Sequence, residues 1–247
     1  MPSLLMLLFV PALALVVVLG IRLARRRSER VGPPWKPSGL ESNLIIFYGF
    51  LLSFVFFLSG NAHRENVGLV HDQAEALAMI HREAELLPPA DGDAVRAAVR
   101  AILEIEVRET RSDDDARAKL DAECDAAYDA LWETLSSRAA APGALPTYRA
   151  ALDRAQRSIS LHYRLVFSET ERTPGALIAL VVAGALLIGF LIGFTCGSGG
   201  HGRLVPWIYV LLASCTIATI LDLNDPRHGF LQPSRANFQQ LLDALAN

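Results

Sequence analysis

The chain has 247 residues, 52% of them hydrophobic, with a net charge of −3 and three cysteines. An acidic balance argues against a nucleic-acid partner, and three cysteines without a C-x-x-C pattern cannot build a disulfide framework. The apolar residues gather in four blocks with the charges between them, which excludes one water-soluble globule and predicts an all-α, polytopic membrane protein.

A bilayer core about 30 Å thick requires roughly 20 apolar helical residues. The first block runs without a charge from Leu4 to Leu19 and reaches Leu23 past Arg22; the second covers Leu44 to Gly60, the third Gly175 to Phe194 and the fourth Leu204 to Leu221. None carries an ionised residue in its middle. Met1-Pro2-Ser3 has no side-chain charge, and the cluster Arg25, Arg26, Arg27 follows the first block, so a retained anchor with its N-terminus outside is expected rather than a cleaved signal peptide. The predicted division is residues 1–60 for membrane helices 1 and 2, 61–174 for a soluble helical domain, 175–222 for membrane helices 3 and 4, and 223–247 for a C-terminal tail.

The connection from Ala24 to Asn43 holds Arg25, Arg26, Arg27, Arg30 and Lys36 against Glu29 and Glu41. Short basic loops stay cytoplasmic. The connection Thr195 to Arg203 then falls on the same side, and the segment Asn61 to Pro174 falls outside with both termini. That segment holds 14 Arg or Lys and 21 Asp or Glu, in agreement with a periplasmic position at the inner membrane of a bacterium.

Within this segment Val67, Val70, Ala74, Leu77, Ile80 and Ala84 form one helical stripe, continuing from span two. Leu87-Pro88-Pro89 ends it, and Asp91-Gly92-Asp93 reads as a turn. A second stripe passes through Val95, Val99 and Ile102. Ser112 with Asp115 fits a capping box, ahead of a third stripe through Ala116, Leu120, Cys124, Ala127, Leu131 and Leu135. Ala141-Pro142-Gly143 breaks this helix. A fourth stripe runs Tyr148, Leu152, Ala155, Ile159, His162 and Val166, and Thr173-Pro174-Gly175 leads into span three. Four amphipathic helices of this length predict an antiparallel bundle inserted between membrane helices 2 and 3.

Chemistry-bearing patterns are sparse. His63, His71 and His81 fall on the first helix of this segment; His71 with Glu75 and His81 with Glu85 are i,i+4 pairs, but they lie about 15 Å apart along the helix and cannot converge on one zinc ion, so they read as solvated pairs, and no metal or other cofactor is expected. Asp113, Asp114 and Asp115 suit a helix N-terminus. The run Gly197 to Gly202 lacks the lysine and strand of a phosphate loop and reads as a tight turn. The cysteines read as small apolar fillers. No nucleophile, base or carboxylate pair at catalytic spacing appears, so an enzyme is not expected.

The membrane spans are more informative. Ala185, Gly189, Gly193 and Gly197 recur every four residues, and Gly49 with Ser53 makes a shorter small-residue stripe; such stripes let helices approach closely, within one chain or between copies. Phe47, Phe50, Phe54 and Phe57 share one face of span two, which suits a hydrophobic constriction in a pore or a packed or lipid-facing surface. Asp222 closes span four and is followed by Pro226, Arg227 and Gly229, a membrane-edge group able to form an ion pair or anchor a helix end.

Two segments carry a resemblance. One is Gly49-Phe50-Leu51-Leu52-Ser53-Phe54 through Gly60, then His63-Arg64-Glu65, Gln73-Ala74-Glu75-Ala76-Leu77 and Leu86-Leu87-Pro88. The other is Leu221-Asp222-Leu223-Asn224-Asp225-Pro226-Arg227-His228-Gly229-Phe230-Leu231. Together with the two-plus-two layout, the chain resembles a bacterial family of four-span proteins named bestrophin-like. The tail keeps Asp222, Pro226 and Gly229 of the family pattern, whereas Gln73 stands where the family has Glu. The resemblance implies kinship with bestrophins, which are pentameric anion channels lined by the second span, so Phe47, Phe50, Phe54 and Phe57 would line the pore. It also implies termini and a helical domain in the cytoplasm, opposite to the charge rule. The expected partners are the lipid bilayer, further copies of the chain and inorganic anions such as chloride, with no nucleic acid; a membrane scaffold or envelope sensor is the alternative.

Overall fold

In the computed structural model the described residues, 2–31, 39–109, 114–170, 173–199, 202, 204–225, 230–232 and 234–245, contain helices and no strand. In chain order these are α1 (Pro2–Val31), α2 (Leu40–Glu83), a 3-10 turn (Ala84–Leu86), α3 (Pro89–Glu109), α4 (Asp114–Ala139), α5 (Pro146–Thr170), α6 (Gly175–Gly197), α7 (Val205–Leu223) and α8 (Ala236–Leu245). Helices α1, α2, α6 and α7 contain stretches long and apolar enough to cross a membrane. The all-α fold with four spans follows the expectation. The chain forms two compact units, Met1–His63 with Glu171–Gln232 and Arg64–Thr170 with Pro233–Asn247.

The first unit is organised around α6, which packs on α1 and α7. A Cβ on Gly193 would overlap the Val17 carbonyl oxygen, one on Gly197 would lie 2.6 Å from the Ile21 oxygen, and one on Gly189 would lie 2.8 Å from Leu13 Cδ1. Gly20 of α1 answers from the other side, where a Cβ would lie 2.9 Å from the Phe194 nitrogen. The backbones therefore meet at a distance only glycine permits. Two tyrosines fasten further helices to α6: Tyr209 of α7 donates to the Ala185 carbonyl at 2.7 Å, and Tyr48 of α2 donates to the Val181 carbonyl at 3.2 Å. The Tyr48 ring lies over Gly184, where a Cβ would come within 2.7 Å of it.

The second unit is a helical bundle. Leu69, Val70, Ala74, Leu77 and Ile80 of α2 are buried with Val95, Val99 and Ile102 of α3, Leu131 and Leu135 of α4, and Ala151, Ala155 and Leu165 of α5. Each expected stripe thus contributes to the core. Ser112 and Asp113, half of the expected capping sequence, lie outside the described residues.

Two features differ from the sequence expectation. Asp91-Gly92-Asp93 is the first turn of α3 rather than a turn before it: the Gly92 N–H donates to the Pro88 carbonyl at 2.9 Å. Proline at the first helical position is already set for the helix, and Asp91 there complements its positive end. Leu87, ahead of Pro88, takes the extended conformation (φ −90°, ψ 160°) that separates α3 from the preceding turn. Secondly, α8 had no counterpart in the sequence analysis. It packs on α3, with Phe238 fully buried and Leu241, Leu242 and Leu245 against the same core.

The two glycine environments predict opposite signs of effect. Gly193→Ala should lower unfolding stability by about 1–3 kcal/mol through overpacking. Gly68, mid-helix with open space where its Cβ would be, should gain about 0.5–1 kcal/mol on change to alanine. Thermal unfolding of the detergent-solubilised chain, followed by circular dichroism, measures both.

Candidate functional site

On α2 the side chains divide by face. Tyr48 and Val55 are buried within the first unit, and Ser59 Oγ lies 3.3 Å from Thr173 Oγ1. The aromatic row lies elsewhere on the helix and is uncovered: Phe47, Phe50, Phe54 and Phe57 are 67%, 72%, 46% and 57% exposed. Gly49 and Ser53 are exposed beside the row, with no neighbour near the Gly49 Cβ position and the Ser53 hydroxyl returned to the Gly49 carbonyl at 2.8 Å. Ala185, Gly189 and Gly193, in contrast, are buried inside the unit, and Gly197 meets Ile21 and Ala24.

At the end of α7, Asp222 acts as a backbone clamp. Its Oδ1 accepts the Phe230 N–H at 2.6 Å and its Oδ2 the Leu231 N–H at 2.9 Å. The intervening Pro226, Arg227 and Gly229 lie outside the described residues. Asn224 Oδ1 accepts the Thr173 N–H at 2.6 Å, tying the end of α7 to the segment that starts α6.

The second unit contains a buried polar cluster. Glu106 (α3) is 1% exposed, Gln73 (α2) and Ser158 (α5) are 0%, and His162 (α5) is 5%. The Gln73 amide donates to Glu106 Oε1 at 3.0 Å and to the Tyr128 hydroxyl at 3.1 Å, and Tyr128 in turn lies 3.2 Å from Ser158 Oγ. Arg235 at the start of α8 donates to Glu106 Oε2 at 2.8 Å with 8% of its side chain exposed. The His162 ring, 5.0 Å from that of Tyr128, places Nδ1 3.5 Å from Glu106 Oε1 and Nε2 3.7 Å from Asp125 Oδ1. Burial alone would raise the Glu106 pKa, but the facing His162 ring, the Arg235 charge and the Gln73 amide outweigh it and hold the carboxyl below its ordinary value. Burial, then the Glu106 charge, pushes the Tyr128 phenol up.

Sequence reasoning missed this cluster as a unit because its members come from four helices and the residue ahead of a fifth. Two signals were available: His162 sat in an otherwise apolar stripe, and Glu106 continues the Val99 and Ile102 face of α3. Gln73, noted as a departure from the family pattern, also gains a physical reason, since a carboxylate there would oppose Glu106 where the amide donates to it. The surface histidines play another part. His71 Nδ1 lies 2.9 Å from the Val67 carbonyl of its own helix rather than pairing with Glu75. His81 lines a cleft of about 480 Å³ with Asp93, Arg96, Arg100 and Leu245, and burial followed by the Arg96 charge lowers its pKa. Both arginines there are engaged, Arg96 with Asp93 at 2.6 Å and Arg100 with the Leu245 carbonyl at 3.3 Å.

Four spanning helices with a helical bundle inserted after the second define a class of membrane protein for which solved structures exist. Two mutant forms of a bacterial bestrophin homolog from Klebsiella pneumoniae share the fold with TM-scores of 0.74 and 0.73, both at 15% identity. The first comparison covers 97% of each chain, and the second covers 98% of this chain and 99% of that one. A further crystal structure, of a protein described as a membrane protein, matches with a TM-score of 0.73 at 16% identity over 97% of each chain. No curated protein matches this sequence. The bestrophin-like domain matches residues 42–238, and the chain belongs to the bestrophin-like family.

Two substitutions test the bonding described here. Glu106→Ala leaves Arg235 buried without its carboxylate and should cost about 3–5 kcal/mol, measured by chemical denaturation. Asp222→Ala removes both acceptors of the clamp and should cost about 1–3 kcal/mol locally. It should also speed tryptic cleavage at Arg227, while leaving cleavage at Arg149 unchanged.

Proposed function

We propose that this chain is an oligomeric anion channel of the bacterial inner membrane, with the aromatic face of α2 lining the pore. The observation that carries this reading is the uncovered row Phe47, Phe50, Phe54 and Phe57. Among the described residues the row is left largely exposed, while the opposite side of the same helix is fixed by Tyr48. A ring of α2 copies would turn the row inward as an apolar constriction, a device channels use to gate by dewetting. Gly49 and Ser53 beside the row would let neighbouring backbones approach. Family membership supports the reading, because bestrophins, to which the sequence resemblance points, are pentameric anion channels.

For sidedness we propose the orientation that the charges favour. Arg25, Arg26, Arg27 and Arg30 are all exposed near the C-terminal end of α1, and a basic turn of this kind is retained in the cytoplasm. The helical domain and both termini are then periplasmic. The exposed arginines near the end of α1 are also the observation that favours the second reading, a non-conducting scaffold or sensor that binds a partner through the helical domain, because the orientation they support differs from the bestrophin layout.

Purified protein in planar bilayers should conduct chloride, and Phe54→Ala with Phe57→Ala should change the conductance several-fold while a folded oligomer remains. Protein that is folded and oligomeric but silent under varied voltage and anion conditions overturns the channel. A single cysteine at Ser137, in a chain lacking Cys124, Cys196 and Cys215, should react with an impermeant maleimide once the outer membrane is opened. Labelling only after lysis reverses the proposed orientation.

A further inference from the structure

The Glu106, Cys124 and His162 side chains belong to α3, α4 and α5, and each is buried. One ligand atom from each lies within 4.8 Å of the other two. Glu106 Oε1 is 3.5 Å from His162 Nδ1 and 3.9 Å from Cys124 Sγ. Around a tetrahedral zinc ion with ligands at about 2.0–2.3 Å, the ligand atoms stand about 3.3–3.6 Å apart. One edge of such a site is therefore formed, the second is close to it, and the third, within 4.8 Å, needs a closure of up to about 1.3 Å. We propose that Glu106, Cys124 and His162 form a binding site for a borderline-soft divalent metal ion, with zinc(II) as the expected occupant.

The donor set supports the assignment. One thiolate, one imidazole and one carboxylate match zinc and its neighbours, whereas magnesium and calcium favour all-oxygen shells. The surroundings resemble an outer shell. Asp125 Oδ1 faces the second ring nitrogen of His162 at 3.7 Å, the arrangement by which a carboxylate fixes the tautomer of a metal-bound histidine. Arg235 holds Glu106 Oε2, leaving Oε1 toward the cluster. The Glu106 carboxylate, a Cys124 thiolate and the Asp125 carboxylate together balance the ion and Arg235, so a divalent ion closes the site at neutrality. Asp125 is half exposed and gives the site an edge on solvent.

An independent observation comes from α2. Gln73 is fully buried, and its Oε1 has no hydrogen-bond partner, while Nε2 points at Glu106 Oε1 and Tyr128. Oxygen and nitrogen of an amide exchange by a half-turn without a change of shape. The half-turn would bring Oε1 to face the cluster as a fourth ligand. With this ligand the ion would join α2, α3, α4 and α5, and metal binding would be coupled to the folding of the bundle.

The test uses the full-length chain in detergent with Cys196 and Cys215 changed to alanine, stripped with a chelator and titrated with cobalt(II). One equivalent should bind with visible bands of tetrahedral intensity and a thiolate-to-cobalt charge-transfer absorption, and zinc(II) should displace it. Adding Cys124→Ala, or separately His162→Gln, should abolish the bands. Cobalt that fails to bind, or binds without the charge-transfer absorption, overturns the proposal. A second measurement is independent of whether those variants fold: zinc(II) should raise the unfolding midpoint of the stripped reference chain by several degrees, and an unchanged midpoint overturns the site.

Discussion

A methyl group at Gly193 would overlap the Val17 carbonyl, and the same closeness to backbone recurs a turn further on, where Gly197 meets the Ile21 carbonyl; a turn earlier, Gly189 makes room for the Leu13 and Val17 side chains. Lipid offers no hydrophobic drive to join helices, so their association rests on dispersion contacts and on a few hydrogen bonds. Glycine at four-residue spacing removes the side chains that would hold α1 and α6 apart. With α1 so near, the other faces of α6 remain available to Tyr209 and Tyr48, whose hydroxyls reach α6 carbonyls. The phenols find acceptors where water is absent, and α2 is oriented by the position of Tyr48. The exposure of Phe47, Phe50, Phe54 and Phe57 follows from that orientation, because a helix fixed by one face must present another.

The second unit solves a different problem. Its helices bury aliphatic stripes against one another, yet the centre contains Glu106, Gln73, Tyr128, Ser158 and His162. A buried carboxylate is tolerated only when its oxygens are occupied. Arg235 occupies one oxygen and the Gln73 amide the other. The cluster therefore connects α2 to α8, elements distant in sequence, and it makes the C-terminal helix part of the bundle. Nearer the opposite end of the bundle, Glu83 pairs with Arg154 and Asp91 with Arg138. These pairs are partly exposed and contribute less than the central one.

Between the last span and α8, the chain is directed by side chains acting on backbone. Asp222 receives two N–H groups from Phe230 and Leu231, and Asn224 receives one from Thr173. A carboxylate that accepts main-chain donors is stronger than a neutral acceptor. This gives Asp222, noted first as a membrane-edge charge, a structural reason to stand where it does.

Much of the fold was legible in the sequence, because hydropathy and helical period are local properties. Apolar runs of spanning length located α1, α2, α6 and α7, and three- and four-residue spacing located the buried faces of α2 to α5. The bestrophin-like family was recognisable from the span-two segment and the tail around Asp222. Helix α8 was not, since ten residues with one buried phenylalanine give a weak periodic signal. The start of α3 was misread, because Asp-Gly-Asp is as much a turn signal as a helix entrance and only the Gly92 bond to Pro88 decides. The sequence by itself determined which segments avoid water, which faces of α2 to α5 are apolar, and which family the chain resembles. The tertiary structure alone decided that the glycine stripe of α6 closes on α1 and that the phenylalanine row is left open. It also decided that Gln73, Glu106, Cys124, His162 and Arg235 share one buried centre. Those outcomes depend on which faces of separate helices meet, and helix period fixes a face without naming its partner.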